Sequence, residues 1–139
     1  MAAQIFRHTH RVTYAEVTVG NHIYYARYLD LLEAARGEFF RSLGATLADW
    51  QARDVIFPVV ECQLRYQAPA RYDDVLTIET WLTAAEKIRL NFAYRIVNQA
   101  GATLVTGETK HVCTSLAEKP QRLPAELAAK LAPFVQPAN

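Results

Sequence analysis

Hydrophobic and polar positions along the chain follow two periods, and the switch between them sets the order of elements. Phe6, His8, His10, Val12 and Tyr14 alternate with Arg7, Thr9, Arg11, Thr13 and Ala15. A period of two, rich in β-branched and aromatic residues, predicts a strand over 6–19. Gly20-Asn21 interrupts it. Between Ile23 and Leu43 there is no proline and only one glycine, Gly37, and Gly44 follows as a helix-ending residue would. At about 100° per residue, Tyr25, Tyr28, Leu29, Leu32, Arg36, Phe39, Phe40 and Leu43 share one broad arc. Arg27, Asp30, Ala34, Glu38 and Arg41 fall opposite. The spacing predicts a helix over 23–43, about 30 Å long.

Such a helix needs a wide apolar surface to cover its stripe. Four further stretches, Val55–Tyr66, Val75–Thr83, Lys87–Val97 and Thr103–Leu116, read as strands. The third is the clearest: Ile88, Leu90, Phe92, Tyr94 and Ile96 oppose Arg89, Asn91, Ala93 and Arg95. Short polar links at 84–86 and 98–101 suit antiparallel hairpins. A short helix over Leu123–Leu131 starts just before Pro124, a residue tolerated in a first turn. No repeat, low-complexity run or linker divides the chain. The expectation is a single α+β domain over 1–139, with one long early helix and a five-stranded antiparallel sheet.

Composition narrows the function by exclusion. The 139 residues are 51% hydrophobic and 21% charged, which excludes disordered and fibrous classes. With 15 Lys+Arg against 14 Asp+Glu, nothing favours a nucleic acid as partner. No apolar run reaches the ~20 residues of a membrane span, and the polar start is unlike a secretory signal. Two cysteines, Cys62 and Cys113, cannot build a disulfide framework, so a cytoplasmic location is expected.

Motifs of common catalysts are missing: there is no Gly-rich phosphate loop, CxxC, GxSxG or HExxH. His8 and His10 share a strand face without an identifiable third ligand, so no metal site is expected. His111 and Cys113 also share a face, a poor arrangement for nucleophilic attack. Both cysteines read as small apolar filler.

A longer signature carries more. Tyr14-Ala15-Glu16-Val17-Thr18-Val19-Gly20-Asn21-His22-Ile23-Tyr24-Tyr25-Ala26-Arg27-Tyr28-Leu29, followed by Leu32-Glu33-Ala34-Ala35-Arg36, resembles the 4-hydroxybenzoyl-CoA thioesterase and acyl-CoA thioester hydrolase family. Glu61, Tyr66, the run 69–74 and Gly107-Glu108-Thr109 agree with it. The resemblance implies the hotdog fold, a long central helix wrapped by a five-stranded antiparallel sheet. It also implies hydrolysis of an acyl-CoA to free acid and coenzyme A, without a cofactor beyond the coenzyme A of the substrate. The assembly it implies is a homodimer or homotetramer, with ligand bound between subunits.

The same resemblance exposes a departure. Many members carry a catalytic Asp where this chain has Thr18, whose hydroxyl is no base near neutral pH without an activating partner. Asn21 stands where Gly is frequent, and Tyr25 where His or Asn is. Another branch places its carboxylate on the long helix, eight residues beyond the amide that polarises the thioester; counted from Tyr25, that residue is Glu33.

Thioester hydrolysis requires a group that attacks the carbonyl or activates water, and donors where the oxyanion develops. A helix N-terminus offers free amides and the positive end of its dipole. The amides around Tyr24 and Tyr25 are therefore the expected donors, with Glu33 as base or nucleophile. Thr18, Asn21 and His22 are expected substrate contacts. Arg89, Arg95 and Lys110 are candidates to meet the coenzyme A phosphates, or with Asn91 simply form a solvated sheet face. Tyr24, Tyr25, Phe39, Phe40, Leu47 and Trp50 could line an acyl channel or simply fill the core. For Glu33 the competing role is an ion pair with Arg36, three residues on. Eight helical residues span about 12 Å, so Tyr25 and Glu33 of one subunit cannot easily reach one carbon; a site shared by two subunits is expected. The alternatives are a non-catalytic acyl-CoA or acyl-carrier binding module, and hydratase chemistry on the same fold.

Overall fold

The computed structural model describes residues 3–136. β1 (Phe6–Arg11), β4 (Val59–Tyr66), β5 (Val75–Glu86), β6 (Arg89–Val97) and β7 (Thr103–Val112) form one antiparallel sheet in the order β1-β5-β6-β7-β4. The long helix α1 (Arg27–Ser42) lies on its apolar face. Leu90, Phe92, Tyr94 and Ile96 of β6 meet Leu32, Ala35, Phe39 and Phe40 of α1 in a single core cluster. Phe39 is central there, with its ring 5.2 Å from Phe6, 4.7 Å from Phe134 and 6.1 Å from Phe92. Truncating such a residue to Ala typically costs about 3–5 kcal/mol. This is the α+β hotdog arrangement of five strands around a central helix. No helix among the described residues is long and apolar enough to cross a membrane.

Several boundaries depart from the sequence reading, each for a local reason. The strand expected over 6–19 stops at Arg11 because Glu16 turns the chain. Its carboxylate accepts from the Thr13 amide at 2.7 Å and the Thr13 hydroxyl at 3.0 Å, and bonds His10 at 2.8 Å. Beyond that turn, β2 (Val17–Thr18) and β3 (His22–Ile23) pair as a separate ribbon. The helix expected from Ile23 begins instead at Arg27, since Ile23 is held in β3 and its amide donates to the Ala70 carbonyl at 2.9 Å.

The buried stripe of α1 is also turned from the expected arc. Tyr28, Leu32, Ala35 and Phe39 form its centre, Leu31 is buried too, and Leu29 is 45% exposed. A short helix that the sequence reading left out, α2 (Leu47–Ala52), is set by a capping box: the Asp49 amide donates to the Thr46 hydroxyl at 3.1 Å, and the Thr46 amide to Asp49 at 2.8 Å. β5 runs on to Glu86, leaving a tight turn with Lys87 at φ 57° where a three-residue link was expected. The final helix, α3 (Ala125–Leu131), starts just after Pro124.

Candidate active site

The start of α1 forms one wall of an open cleft of about 560 Å³. Thr18, His22, Tyr24 and Tyr25 line one side and Tyr66 to Pro69 the other. Four of the expected site residues are thus brought together. Local hydrogen bonding fixes the turn from which α1 departs. The Arg27 amide donates to the Tyr24 carbonyl at 2.8 Å, and the Tyr66 hydroxyl donates to the Tyr25 carbonyl at 3.1 Å. Tyr66 also packs against Tyr28, with ring centroids 5.4 Å apart.

The amides divide unequally. That of Tyr24, expected as an oxyanion donor, is engaged with the Glu16 carbonyl at 3.2 Å, which removes it from that role. Among the described residues, no hydrogen bond takes the amides of Tyr25 or Ala26. Both are open donors at the positive end of a 16-residue helix.

Glu33 lies outside this cleft. It is exposed on the flank of α1, where it borders two cavities of about 220 Å³ each. One runs under α1 between Phe40, Phe57 and Phe92 to Leu47 and Gln51 of α2. The other opens between Leu29 of α1 and Val59 and Cys62 of the edge strand β4. Of the aromatic and apolar residues considered for an acyl channel, Phe40 and Leu47 line the first cavity, Phe39 and Trp50 are core, and Tyr24 and Tyr25 belong to the cleft.

The competing ion pair of Glu33 with Arg36 does not form. Arg36 turns toward the sheet and donates to the Tyr94 hydroxyl at 3.0 Å. Tyr94 is 2.7 Å from the Thr109 hydroxyl, and Thr109 is 2.8 Å from His111 Nε2. His111 Nδ1 lies 2.9 Å from the Phe57 carbonyl. A carbonyl only accepts, so Nδ1 carries the proton and Nε2 accepts from Thr109. That orientation makes every link one-way, from Arg36 through Tyr94 and Thr109 to His111. Burial drives the His111 pKa down to about 4, the nearby Arg36 charge pushes the same way, and the bond to Phe57 opposes them. Burial likewise raises Tyr94.

Other expected contacts lie apart. Asn21 is not the cap of α1, since Ala26 holds that position. It sits in the turn between β2 and β3 at φ 58°, and its side chain accepts from the Tyr72 amide at 3.2 Å. Gly20, at φ 88°, lets the His22 ring pack 3.3 Å from where a Cβ would stand.

The proposed phosphate-binding cations are all engaged with carboxylates. Arg89 pairs with Glu86 at 2.8 Å, Arg95 with Glu79 at 2.6 Å and Lys110 with Glu61 at 3.3 Å. Glu79 is buried, which alone would raise its pKa; Arg95 and Arg7 outweigh that and hold it low. Asn91 is itself buried rather than presented to solvent. The sequence reading missed the wall formed by Tyr66 to Pro69 and the Arg36–His111 chain. Both depend on strand register, which brings residues distant in sequence together.

Comparison with known proteins agrees with the fold. Residues 12–131 match the family described as the Thioesterase-like superfamily. The acyl-CoA thioester hydrolase YbgC of Escherichia coli O6:H1 is 35% identical over 131 residues, covering 94% of this chain and 98% of that protein. The crystal structure of hypothetical protein TT1821 from Thermus thermophilus superposes with a TM-score of 0.85 at 33% identity, covering 92% of this chain and 98% of the other. That of a DHNA-CoA thioesterase from Staphylococcus aureus gives 0.80 at 28%, covering 86% and 80%. With its central helix, its open amides at the helix start and a match spanning nearly all of its length, the chain belongs to the Thioesterase-like superfamily.

Proposed function

We propose that this protein hydrolyses acyl-CoA thioesters, with Glu33 as general base or nucleophile and the amides of Tyr25 and Ala26 as oxyanion donors. As base, Glu33 takes a proton from water while the water oxygen attacks the acyl carbon. Negative charge builds on the former carbonyl oxygen, where the two amides and the helix dipole stabilise it. The carbon–sulfur bond then breaks, the proton passes from Glu33 to the coenzyme A sulfur, and the free acid leaves. Water is the second substrate, and no metal or redox cofactor enters the scheme. Thr18 and His22, on the cleft wall, contact substrate near the acyl carbon.

The reading is carried by the position of Glu33 beside β4. This edge strand is exposed along nearly its whole length, with Val59 49%, Val60 63% and Tyr66 46% accessible. An exposed apolar edge is a template for pairing with another strand. A second copy seated there would face Glu33, and the oxyanion donors would come from the partner's helix start. The active form in this reading is accordingly a homodimer or a homotetramer.

The test is thiol release from acetyl-, medium-chain and aromatic acyl-CoAs by the wild type and Glu33→Gln. The variant should lose activity by about 10²–10⁴-fold, the usual contribution of a positioned acid–base group. Full activity in Glu33→Gln would remove Glu33 from the mechanism. Saturable acyl-CoA binding without turnover by the wild type would favour a binding module instead.

A further inference from the structure

Arg36 stands three residues from Glu33 on the same flank of α1, the spacing at which a guanidinium and a carboxylate ordinarily meet. Yet Glu33 makes no ion pair or hydrogen bond among the described residues, and Arg36 makes no ion pair either. The Arg36 guanidinium is drawn the other way, into the buried side of the sheet.

What draws it is a chain set by the register of β6 against β7. Phe92 pairs opposite Thr109 and Tyr94 opposite Gly107, so the Tyr94 hydroxyl reaches Thr109 on the diagonal. Thr109 and His111 alternate on the same face of β7, and His111 is anchored to the Phe57 carbonyl at 2.9 Å. Tyr94, Thr109 and His111 are each 3% exposed or less. A polar chain so deeply buried is costly unless every member is satisfied, and here each is. The fold therefore maintains a fixed acceptor for Arg36 at the sheet.

Resting on the acyl-CoA hydrolysis proposed above, we infer that Tyr94, Thr109 and His111 are positioning residues that hold Arg36 against the sheet and so keep the Glu33 carboxylate unpaired for proton transfer. Without them the guanidinium swings back one helical turn onto Glu33. A paired carboxylate is a weaker base and is fixed in the wrong direction. The remaining titratable groups facing Glu33 are few. Asp30 lies on its own helix, where it pairs with Arg27 at 3.8 Å; Cys62 lies on β4 and His111 on β7. The segments from α2 and residues 55–59 present no titratable side chain to it. Arg36 is thus the cation with the reach to quench Glu33.

Tyr94→Phe tests this, since it keeps the ring and deletes only the hydroxyl, which accepts from Arg36 and donates to Thr109. The expected result is a several-fold fall in kcat with KM little changed. The ascending limb of the rate–pH profile should move to lower pH by about 1–3 units, the effect of a guanidinium beside a carboxylate. Adding Arg36→Met to Tyr94→Phe should restore kcat and return the limb to the wild-type position or above it, because the quenching cation is gone. A merely structural defect would not be rescued by a second core-facing change. A crystal structure of Tyr94→Phe should show Arg36 within ion-pair distance of Glu33. An unchanged rate and limb in Tyr94→Phe, or Arg36 still turned to the sheet, overturns the positioning role. Failure of the hydrolase reading looks different: there Glu33→Gln is fully active, whereas here Glu33→Gln is inactive and only the Tyr94→Phe result changes.

Discussion

The Tyr66 hydroxyl donates to the Tyr25 carbonyl across 3.1 Å, joining the last residue of the edge strand β4 to the turn that opens α1. One hydrogen bond therefore connects the strand on which a second copy would seat to the amides proposed to meet the oxyanion. Tyr66→Phe removes that bond and leaves the ring packed against Tyr28. A bond of this kind contributes about 0.5–1.5 kcal/mol, so kcat should fall roughly 2- to 10-fold. Steady-state kinetics on one acyl-CoA decides it; an effect confined to KM would assign Tyr66 to substrate binding alone.

Gly107 sits where the pairing of β4 bears on the proposed assembly. It lies opposite Leu64 in the β4–β7 register, and a Cβ built there would meet the Leu64 side chain and stand 2.8 Å from the Gln63 carbonyl. The backbone oxygen cannot yield as a flexible side chain would. Gly107→Ala should push β4 away from β7 and destabilise the fold by about 1–3 kcal/mol, typical of overpacking. Thermal unfolding measures the loss, and size-exclusion chromatography should show a shift toward monomer.

His111 makes stability depend on pH. Its pKa is about 4 in the fold against an ordinary value near 6.5. Between these values the unfolded chain binds a proton that the folded chain refuses, so stability rises with pH across that window. The contribution is fully present above pH ~6.5 and lost as pH falls toward 4, about 3 kcal/mol in all. Thermal unfolding between pH 7 and 4.5 should show a steep loss for the wild type and a shallower one for His111→Gln. Parallel curves would contradict this assignment.

Much of this was legible in the chain and some was not, for physical reasons. The alternation of Leu90, Phe92, Tyr94 and Ile96 marks the buried face of β6 because a strand's side chains point to opposite faces regardless of context. The helix period marks α1 in the same way, though its start does not. Ile23 is equally apolar in a helix or in β3, and its pairing with Val17 and the distant Ala70 carbonyl decide between them. Glu16 hides a turn inside an apparent strand because its carboxylate bonds back to Thr13, a preference that a hydrophobic pattern does not register. The cap at Thr46 and Asp49 was written in the sequence as a capping box, and α2 could have been found from it.

At the site, the cluster around the helix start follows from adjacency in sequence: Thr18, His22 and Tyr25 are close along the chain and remain close in space. Arg89 and Arg95 illustrate the converse. Their cationic character is visible in sequence, but their partners Glu86 and Glu79 are set by hairpin geometry and by register. The chain from Arg36 to His111 needs α1, β6 and β7 placed together before any of its links exist.

The central claim, that each active site joins Glu33 of one subunit to the Tyr25 amide of another, is tested most directly by subunit complementation. Glu33→Gln removes the carboxylate, and Tyr25→Pro removes the amide hydrogen just ahead of the helix, where proline is tolerated. Each variant alone should be nearly inactive. Co-assembled in equal amounts, they should regain about a quarter of wild-type thiol release, because half the dimers are mixed and each mixed dimer holds one intact site of two. Activity that stays at the level of the separate variants would place both groups in the same subunit and contradict the claim.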